Sequence, residues 1–469
     1  GNLGFYIYNR DDAAYRMVFA NGGNTGVGTL TPGSTFSVYG EISASHAART
    51  VFNAFDIRSS YALTRGSTIR GFRTGSDYEW RLGDVGALAG NTTRGLGLSS
   101  RTDIQLMPGA SSAVMIVDSE SRVSISNRDA GSNNTIFGRL AGANGSIGVR
   151  NAFFGDTVAN DTLTTDASNN VGVGYRAMHV LTAGSENTSI GSSAGFAMYT
   201  GVRNVAIGAN SLYFGAAQKT VAIGYEAGRY ATGSFNTFVG SQAGVGGTTS
   251  APYSSGQYNV AVGANALDSF TTGGNNTAIG YASLHNVTTG DGNVAIGTNT
   301  GDNITTSNEN TIIGYRAAES YDVGASNTFL GSYAGKDWGA TQTNHCVVIG
   351  ANAGYDPDGT EATGATLVGA YAGYQGAGNS TAIGYYAAGY ATGSNNTFVG
   401  YEAGKGGTTS APFSSGGSNT AIGHQALTGF TTAFHNVAIG HSAMKDNSTG
   451  NYNTALGNNA LRENTSGGA

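Results

Sequence analysis

The sequence predicts an all-β protein in which an elongated parallel β-solenoid follows a β-rich N-terminal region. Three observations favour this fold class: a composition suited to tightly turning strands, a short motif that recurs along most of the chain, and a long internal duplication that keeps the motif. Such repetition is typical of a stacked structural array, because an enzyme has no use for many copies of one active site.

The composition excludes several classes of protein. The 469 residues include 76 Gly but only 5 Pro, which excludes collagen, and the 39% hydrophobic content is too high for a disordered Gly/Ser chain. The net charge of −6 leaves no basic footprint for a nucleic-acid partner. The single cysteine, Cys346, excludes a disulfide framework and a zinc cluster within one chain, and we expect it to be a small buried substitute.

Membrane insertion is not expected. The sequence has no apolar run near the length of about 18 residues at which a segment becomes a candidate transmembrane helix. The first residues, GNLGFYIYNRDD, lack the basic and apolar segments of a signal peptide.

Residues 1–130 are predicted to form a β-rich region, because short apolar runs alternate there with Gly, Asn and Ser turns. A boundary near residues 45–60 is one way to divide it into two small modules. The predicted strands are FYIYN, YRMVFA, STFSVYG, YEWRLG, DIQLMPG, AVMIVD and RVSISN.

Residues 131–469 contain 19 copies of the motif Asn-x-x-(Ile/Val/Leu)-Gly, most often 17 residues apart. The residue before the glycine is apolar in all 19 copies, and Asn precedes the glycine by four positions in 15 of them. Eighteen intervals of about 4.8 Å predict a rod about 86 Å long. Representative motif residues are Gly208, Gly240, Gly280, Gly297, Gly331, Gly400 and Gly440, with Ile207, Ile279, Ile296 and Ile439 before four of them.

Each motif position has a physical interpretation. Asn-x-x-Ile is too short for a helix and predicts one strand per repeat, with the apolar residue facing the core. The glycine is expected at a corner where φ is positive or where the next coil comes close, and stacked Asn residues are expected to form a ladder. One apolar side chain and one alanine per strand make a thin core, so we predict a homotrimer whose chains cover one another.

A longer duplication relates residues 231–256 to residues 391–416 at an offset of 160. It predicts two projecting loops, 246–258 and 406–418, and such loops commonly carry the binding surface of a solenoid. Tyr253 and Phe413 occupy matching places in these loops. They are either exposed receptor contacts or rings that tuck the loops onto the rod.

Aromatic residues supply the other candidate receptor contacts. Several tyrosines directly follow a motif glycine, where a stripe of rings serves either packing or sugar stacking. Trp338 lies in a lengthened coil and is a candidate surface contact. The candidate receptor-binding residues are therefore Tyr253, Phe413, Trp338, Tyr281, Tyr385 and Tyr401.

No catalytic residue, metal site or cofactor is predicted. His424 and His441 are 17 residues apart and are expected to stack, but no HxH or HExxH motif supports a metal. The DPDG segment at 356–359 lacks the later ligands of a calcium loop, and no facing pair of carboxylates stands out for glycoside hydrolysis.

The segments NTAIGYASL (276–284) and NTALGNNAL (453–461) resemble the head repeats of trimeric autotransporter adhesins and the related repeats of bacteriophage tail fibres. NTGVGTLTPGSTFSVYGEIS (24–43) and MIVDSESRVSISN (115–127) are similar to segments of phage tail fibres. The resemblance implies left-handed parallel β-rolls, three chains of which pack about a threefold axis.

The resemblance also implies a function and a location. It favours a structural and host-receptor-binding fibre of a phage or phage-like tail, located in the virion and extracellular. The expected partners are other tail or baseplate proteins and a bacterial surface glycan or outer-membrane protein. Two alternatives stay open: the head of a trimeric autotransporter adhesin on a bacterial cell surface, and a tailspike that depolymerises glycans.

Overall fold

The computed structural model describes the backbone of ten strands between residues 3 and 125. It also describes residues 133–467 apart from 143–147, 162, 165, 216, 252, 339–343, 356–362, 377 and 411–412. Every regular element in these parts of the chain is a β-strand, which confirms the all-β prediction. The chain divides into two compact units, residues 1–100 and 101–469.

The first unit contains two small sheets. In the first sheet β1 and β2 are antiparallel, as are β2 and β3, whereas β3 and β4 are parallel; the second sheet is antiparallel throughout. The strands β3, β5 and β7 were not predicted because glycine interrupts their apolar runs. The module boundary expected near residues 45–60 lies outside the described residues. The strands are β1 (Leu3–Asn9), β2 (Ala14–Ala20), β3 (Thr25–Val27), β4 (Phe36–Val38), β5 (Thr68–Phe72), β6 (Glu79–Asp84) and β7 (Leu96–Ser100).

The second unit begins with a three-stranded antiparallel sheet of β8 (Ile104–Leu106), β9 (Met115–Val117) and β10 (Val123–Ile125). The β9–β10 pair is the strand–turn–strand expected at 115–127.

The rest of the second unit is a parallel β-solenoid, as predicted. Its 19 three-residue strands form one sheet in chain order, and every neighbouring pair is parallel with the motif positions in register. Backbone hydrogen bonds also join successive turns, so each coil is held around its perimeter. The strands are β11 (Thr135–Phe137), β12 (Ala152–Phe154), β13 (Val171–Val173), β14 (Thr188–Ile190), β15 (Val205–Ile207), β16 (Val221–Ile223), β17 (Thr237–Val239), β18 (Val260–Val262), β19 (Thr277–Ile279), β20 (Val294–Ile296), β21 (Thr311–Ile313), β22 (Thr328–Leu330), β23 (Val347–Ile349), β24 (Thr366–Val368), β25 (Thr381–Ile383), β26 (Thr397–Val399), β27 (Thr420–Ile422), β28 (Val437–Ile439) and β29 (Thr454–Leu456).

The motif glycine meets both conditions expected of it. All 19 motif glycines have φ between 122° and 142°. A Cβ atom on Gly280 would lie 2.3 Å from the carbonyl oxygen of Gly297 in the next coil. Any side chain at this corner therefore meets both an unfavourable φ and the neighbouring backbone.

The structure and the prediction differ on which residue of each strand lies in the core. From β12 onward the central residue of each strand is buried, as Ala278 and Ala295 are. Ile279 and Ile296 are each 37% exposed, and Ile207 and Ile439 are half-buried, so the prediction that these four residues face the core is wrong within one chain. Side chains alternate along a strand, so a buried central residue directs its neighbours outward.

Larger core side chains come from the turns as well as from strand centres such as Phe238 and Phe329. Leu267, Leu284 and Phe270 follow the strands in their coils and are fully buried. The alanine three residues after the glycine is also buried at Ala227 and Ala334, as the narrow interior predicts.

The Asn ladder is present. Asn276 is fully buried, and its Oδ1 accepts a hydrogen bond of 2.9 Å from the backbone N–H of Asn293 in the next coil. Its Nδ2 donates to the carbonyl oxygen of Gly290 at 2.9 Å. Cys346 occupies a ladder position and is 1% exposed, which confirms that it is a small buried substitute.

Candidate binding surface

The solenoid sheet has an uncharged outward face, formed by the first and third residues of β11–β29, in which the third residue is always apolar. The first residue is Thr, Val or Ala and the third is Ile, Val, Leu or Phe in each of these 19 strands, so the outward face carries no charged side chain. Ile279, Ile296 and Leu330 are 37%, 37% and 43% exposed. An apolar surface of this extent is unusual on an isolated soluble chain and is typical of an interface.

Charged side chains lie instead on the turns, many of them on the turns that follow the strands, although the Arg203–Glu186 pair lies just before two strands. The residues two and five positions after a motif glycine pair across one turn, as Arg316 does with Glu319 at 2.6 Å and Lys405 with Glu402 at 2.8 Å. The pKa of Glu402 is lowered: burial opposes ionisation, but hydrogen bonds from Lys405 and Gln425 outweigh it. The solenoid thus has chemically distinct sides.

The residues directly after the motif glycines, from Arg139 to Asn458, form a column that we call the tyrosine column. Near its C-terminal end four rings form one stack: Tyr385 lies 5.3 Å from Tyr401, Tyr401 4.9 Å from His424, and His424 5.0 Å from His441, between ring centroids. Tyr385 and Tyr401 are 43% and 45% exposed. Because the rings cover one another's faces, this stack presents mainly ring edges to solvent.

Tyr281 lies in the same column but in different surroundings. Its backbone neighbours in the adjacent coils are Ala264 and Thr298, as the hydrogen bonds from Ala282 to Ala264 and from Asn299 to Tyr281 show. The Tyr281 side chain is 55% exposed, and no ring or cation among the described residues lies within stacking distance of it. This ring is therefore not part of an aromatic stack within the described coils.

The two loop aromatics lie against the solenoid. This is the alternative in which the rings hold the loops onto the rod. Tyr253 stacks on Phe214 with ring centroids 4.7 Å apart, and Phe413 lies parallel to Tyr390 at 6.3 Å. Isolated β-bridges at Ser254 and Ser414 hold both loops to the preceding coil.

The prediction that Trp338 is a surface contact is wrong. It is 1% exposed and packs edge-on against Phe329 at 6.1 Å. The lengthened coil turns the indole inward, and Gly354 in the next coil leaves room for it: a Cβ there would lie 2.3 Å from the ring.

An ion-pair cluster that sequence reasoning missed crosses three coils. The His285 ring lies between two carboxylates, with Nε2 3.6 Å from Asp268 and Nδ1 3.3 Å from Asp302. Hydrogen bonds to Asp268 and then Asp302 raise the pKa of His285 to about 9, and burial opposes that rise. The 17-residue spacing of these three residues was the available signal.

Among the described residues, no group of three or more His, Cys, Asp or Glu side chains is arranged to hold a metal ion, and no helix could cross a membrane. The DPDG segment lies outside the described residues. Comparison with protein-family models, curated proteins and solved structures gave no significant match.

Proposed function

We propose that this chain is the structural and host-attachment fibre protein of a phage or phage-like tail and works as a homotrimer. The outward face of the solenoid carries the proposal, because an uncharged apolar surface on 19 successive strands needs a cover. The motif resemblance to tail-fibre and adhesin repeats supplies the biological setting.

Packing between copies accounts for the outward face. Inside one coil the strand contributes a single buried side chain, often alanine as at Ala278 and Ala295. The larger apolar side chains, Ile279 and Ile296, point away from that core. Packing the outward faces of three chains together buries these side chains and supplies the apolar area that each thin core lacks.

Attachment uses the sides that stay outside such a trimer. The charged turns and the tyrosine column recur along the solenoid, and three chains multiply them. Repeated weak contacts on one rigid scaffold gain affinity through effective concentration. The proposed ligand is a bacterial surface glycan or an outer-membrane protein, and the proposed partners at the particle are other tail or baseplate proteins.

Electron microscopy of the parent particle with antibody against this chain tests the function. We expect label on fibres that extend from a tail. Label on a bacterial cell surface would favour the adhesin alternative, and shortened host capsule chains after incubation with the purified protein would favour the depolymerase. Light scattering of the purified chain should give the mass of three chains; a stable monomer would refute the trimer.

A further inference from the structure

We propose that Tyr281 and Tyr315 form the walls of a slot that takes one pyranose ring of a glycan, with Thr298 as its floor. The inference deepens the proposed function, because it rests on attachment to a surface glycan and names the ring-binding site.

The register of the coils places these three residues on successive rungs. The backbone N–H of Asn299 donates to Tyr281 at 2.8 Å, and that of Arg316 donates to Thr298 at 2.9 Å. Two rungs of about 4.8 Å separate the two tyrosines by about 9.6 Å along the solenoid. In the Tyr385–Tyr401 stack, at 5.3 Å and 19° between ring planes, two rings of the tyrosine column face each other along this axis, and the proposal gives Tyr281 and Tyr315 the same orientation.

The width of the slot selects the ligand. A flat aromatic ring in contact with both walls needs a separation of about 7 Å, because carbon atoms touch at about 3.5 Å. A puckered ring whose C–H groups contact both faces needs about 8–9 Å, which is closer to the separation here. A hydroxylated pyranose ring therefore fills the slot better than a planar ligand.

The slot is open. Tyr281 is 55% exposed and Tyr315 is 48% exposed, whereas Thr298 is half-buried between them. Tyr333 meets Tyr315 edge-on at 5.4 Å, and it belongs to the next coil on the side away from Thr298. The Arg316 guanidinium lies 6.0 Å from the Tyr315 centroid and 5.6 Å from the Tyr333 centroid, so it lies on the Tyr333 side of Tyr315 as well. Neither contact covers the Tyr315 face toward Thr298.

A hydrogen-bonding group beside the slot lacks a full set of partners. Asn299 directly follows Thr298, and its Nδ2 donates to Glu319 at 3.4 Å. Its buried Oδ1 accepts no hydrogen bond. Buried acceptors are normally paired, and because this oxygen is closed to solvent a sugar hydroxyl would reach it only after the Asn299 side chain turns outward.

The rest of the tyrosine column does not offer the same spacing. Tyr385 and Tyr401 are on adjacent rungs and cover each other. Tyr175 and Tyr225 are three rungs apart, with Ser192 and Ala209 between them, a gap of about 14 Å that one ring cannot span.

Saturation-transfer NMR on the full chain tests the slot, with the methyl glycosides of glucose, galactose, mannose and N-acetylglucosamine as probes. We expect transfer to at least one glycoside. Tyr281→Ala should weaken that binding at least about tenfold, because one stacking face is lost, whereas Tyr401→Ala, from the closed stack, should leave it unchanged. Thr298→Tyr should abolish binding while preserving the melting temperature, because the new ring fills the slot as in the Tyr385–Tyr401 stack.

The inference is overturned if no glycoside receives saturation, or if both Tyr281→Ala and Thr298→Tyr bind as the wild type does. The failure of the attachment proposal is distinguishable from this. If antibody finds no chain on particle tails, attachment fails whatever the glycosides do. If labelled fibres adhere to host cells equally with and without Tyr281→Ala and bind no probe, only the slot fails.

Discussion

Residues with positive φ recur at fixed places in each coil, yet only the motif position requires glycine throughout. In the coil around Gly280, Asn275, Ala282 and Leu284 have φ of 56°, 50° and 50°. These values lie in the left-handed helical region, which a side chain can enter at a cost. Gly280, at φ 132°, lies outside that region and touches the next coil. The motif glycine is therefore required both for its positive φ and for the close approach of the next coil.

Gly280→Ala should lower the free energy of unfolding by about 3 kcal/mol or more, since it adds a backbone clash to an unfavourable φ. Gly292→Ala is the matched control: φ is 68° there, and the new Cβ would lie 3.7 Å from its nearest neighbour, Glu309. We expect the control to cost about 1 kcal/mol. Denaturant melts of the two variants compare the costs; equal losses would contradict the close-approach account.

The contacts of His285 with Asp268 and Asp302 predict that the stability of the protein depends on pH. The pKa of His285 rises from 6.5 to about 9 on folding, so its stabilisation is fully present below about pH 6.5 and is lost as pH rises through about 9. Solvent screens this half-buried site, so we expect a loss on the order of 1 kcal/mol. Thermal melts from pH 6 to 10 should show it.

His285→Gln should remove this dependence, because glutamine does not titrate. His441→Gln is the control, since His441 stacks on His424 and makes no ion pair within the described coils. A wild-type profile that matches His285→Gln across this range would count against the ion-pair account.

At the scale of the element, the Asn ladder provides a hydrogen-bond acceptor for the backbone N–H of the residue just before each strand, and this contact repeats from coil to coil. Asn276 accepts two hydrogen bonds from Asn293 and donates one to Gly290. Its own N–H donates to Asn259 Oδ1 at 2.9 Å. The side chain thus satisfies buried groups in two coils at once, which explains why a polar residue occupies a fully buried position.

Asn276→Ala should cost about 2–4 kcal/mol, because it leaves the N–H of Asn293 and the carbonyl of Gly290 buried without this partner. Asn276→Thr should cost about half as much. Thr220 occupies an equivalent place and accepts from the backbone N–H of Asn236 at 3.4 Å. Chemical denaturation ranks the three proteins, and an alanine variant as stable as the threonine variant would contradict the ladder energetics.

At the scale of the whole molecule, the solenoid has an uncharged outward face and separate turns that carry charged side chains. The outward face follows from the alternation of side chains along a three-residue strand. The strand interior admits one side chain, so the second apolar residue of each strand must lie outside. We propose that these outward apolar residues pack against other copies of the chain.

Ile296→Lys should convert the proposed trimer to monomers, because an unpaired ammonium group in an apolar interface costs several kcal/mol in each chain. Asn275→Lys is the control: Asn275 is exposed at a turn position where Lys219 occurs naturally, with similar φ of 56° and 53°. Light scattering measures both masses. A trimeric Ile296→Lys protein would place the interface elsewhere.

Sequence reasoning named three tyrosines of the tyrosine column but not their arrangement. Tyr281, Tyr385 and Tyr401 were equivalent candidates, since each follows a motif glycine. Their neighbours one coil away separate them: Tyr281 lies beside Ala264 and Thr298, whereas Tyr385 and Tyr401 cover each other. The burial of Trp338 likewise depends on the space that Gly354 leaves in the following coil.

The amino-acid sequence by itself determined the parallel solenoid, the motif corner and the Asn ladder. These features depend on contacts between equivalent residues of adjacent repeats, and a period in the sequence specifies such contacts directly. Only the tertiary structure decided which apolar residue of each strand faces inward. Ala278 and Ile279 are both apolar, so hydrophobicity alone does not orient a three-residue strand. The distance from the motif glycine decides: the residue two positions before it is buried whether it is Ala278, Ile312 or Phe329, and alternation along the strand then places the residue next to the glycine outside.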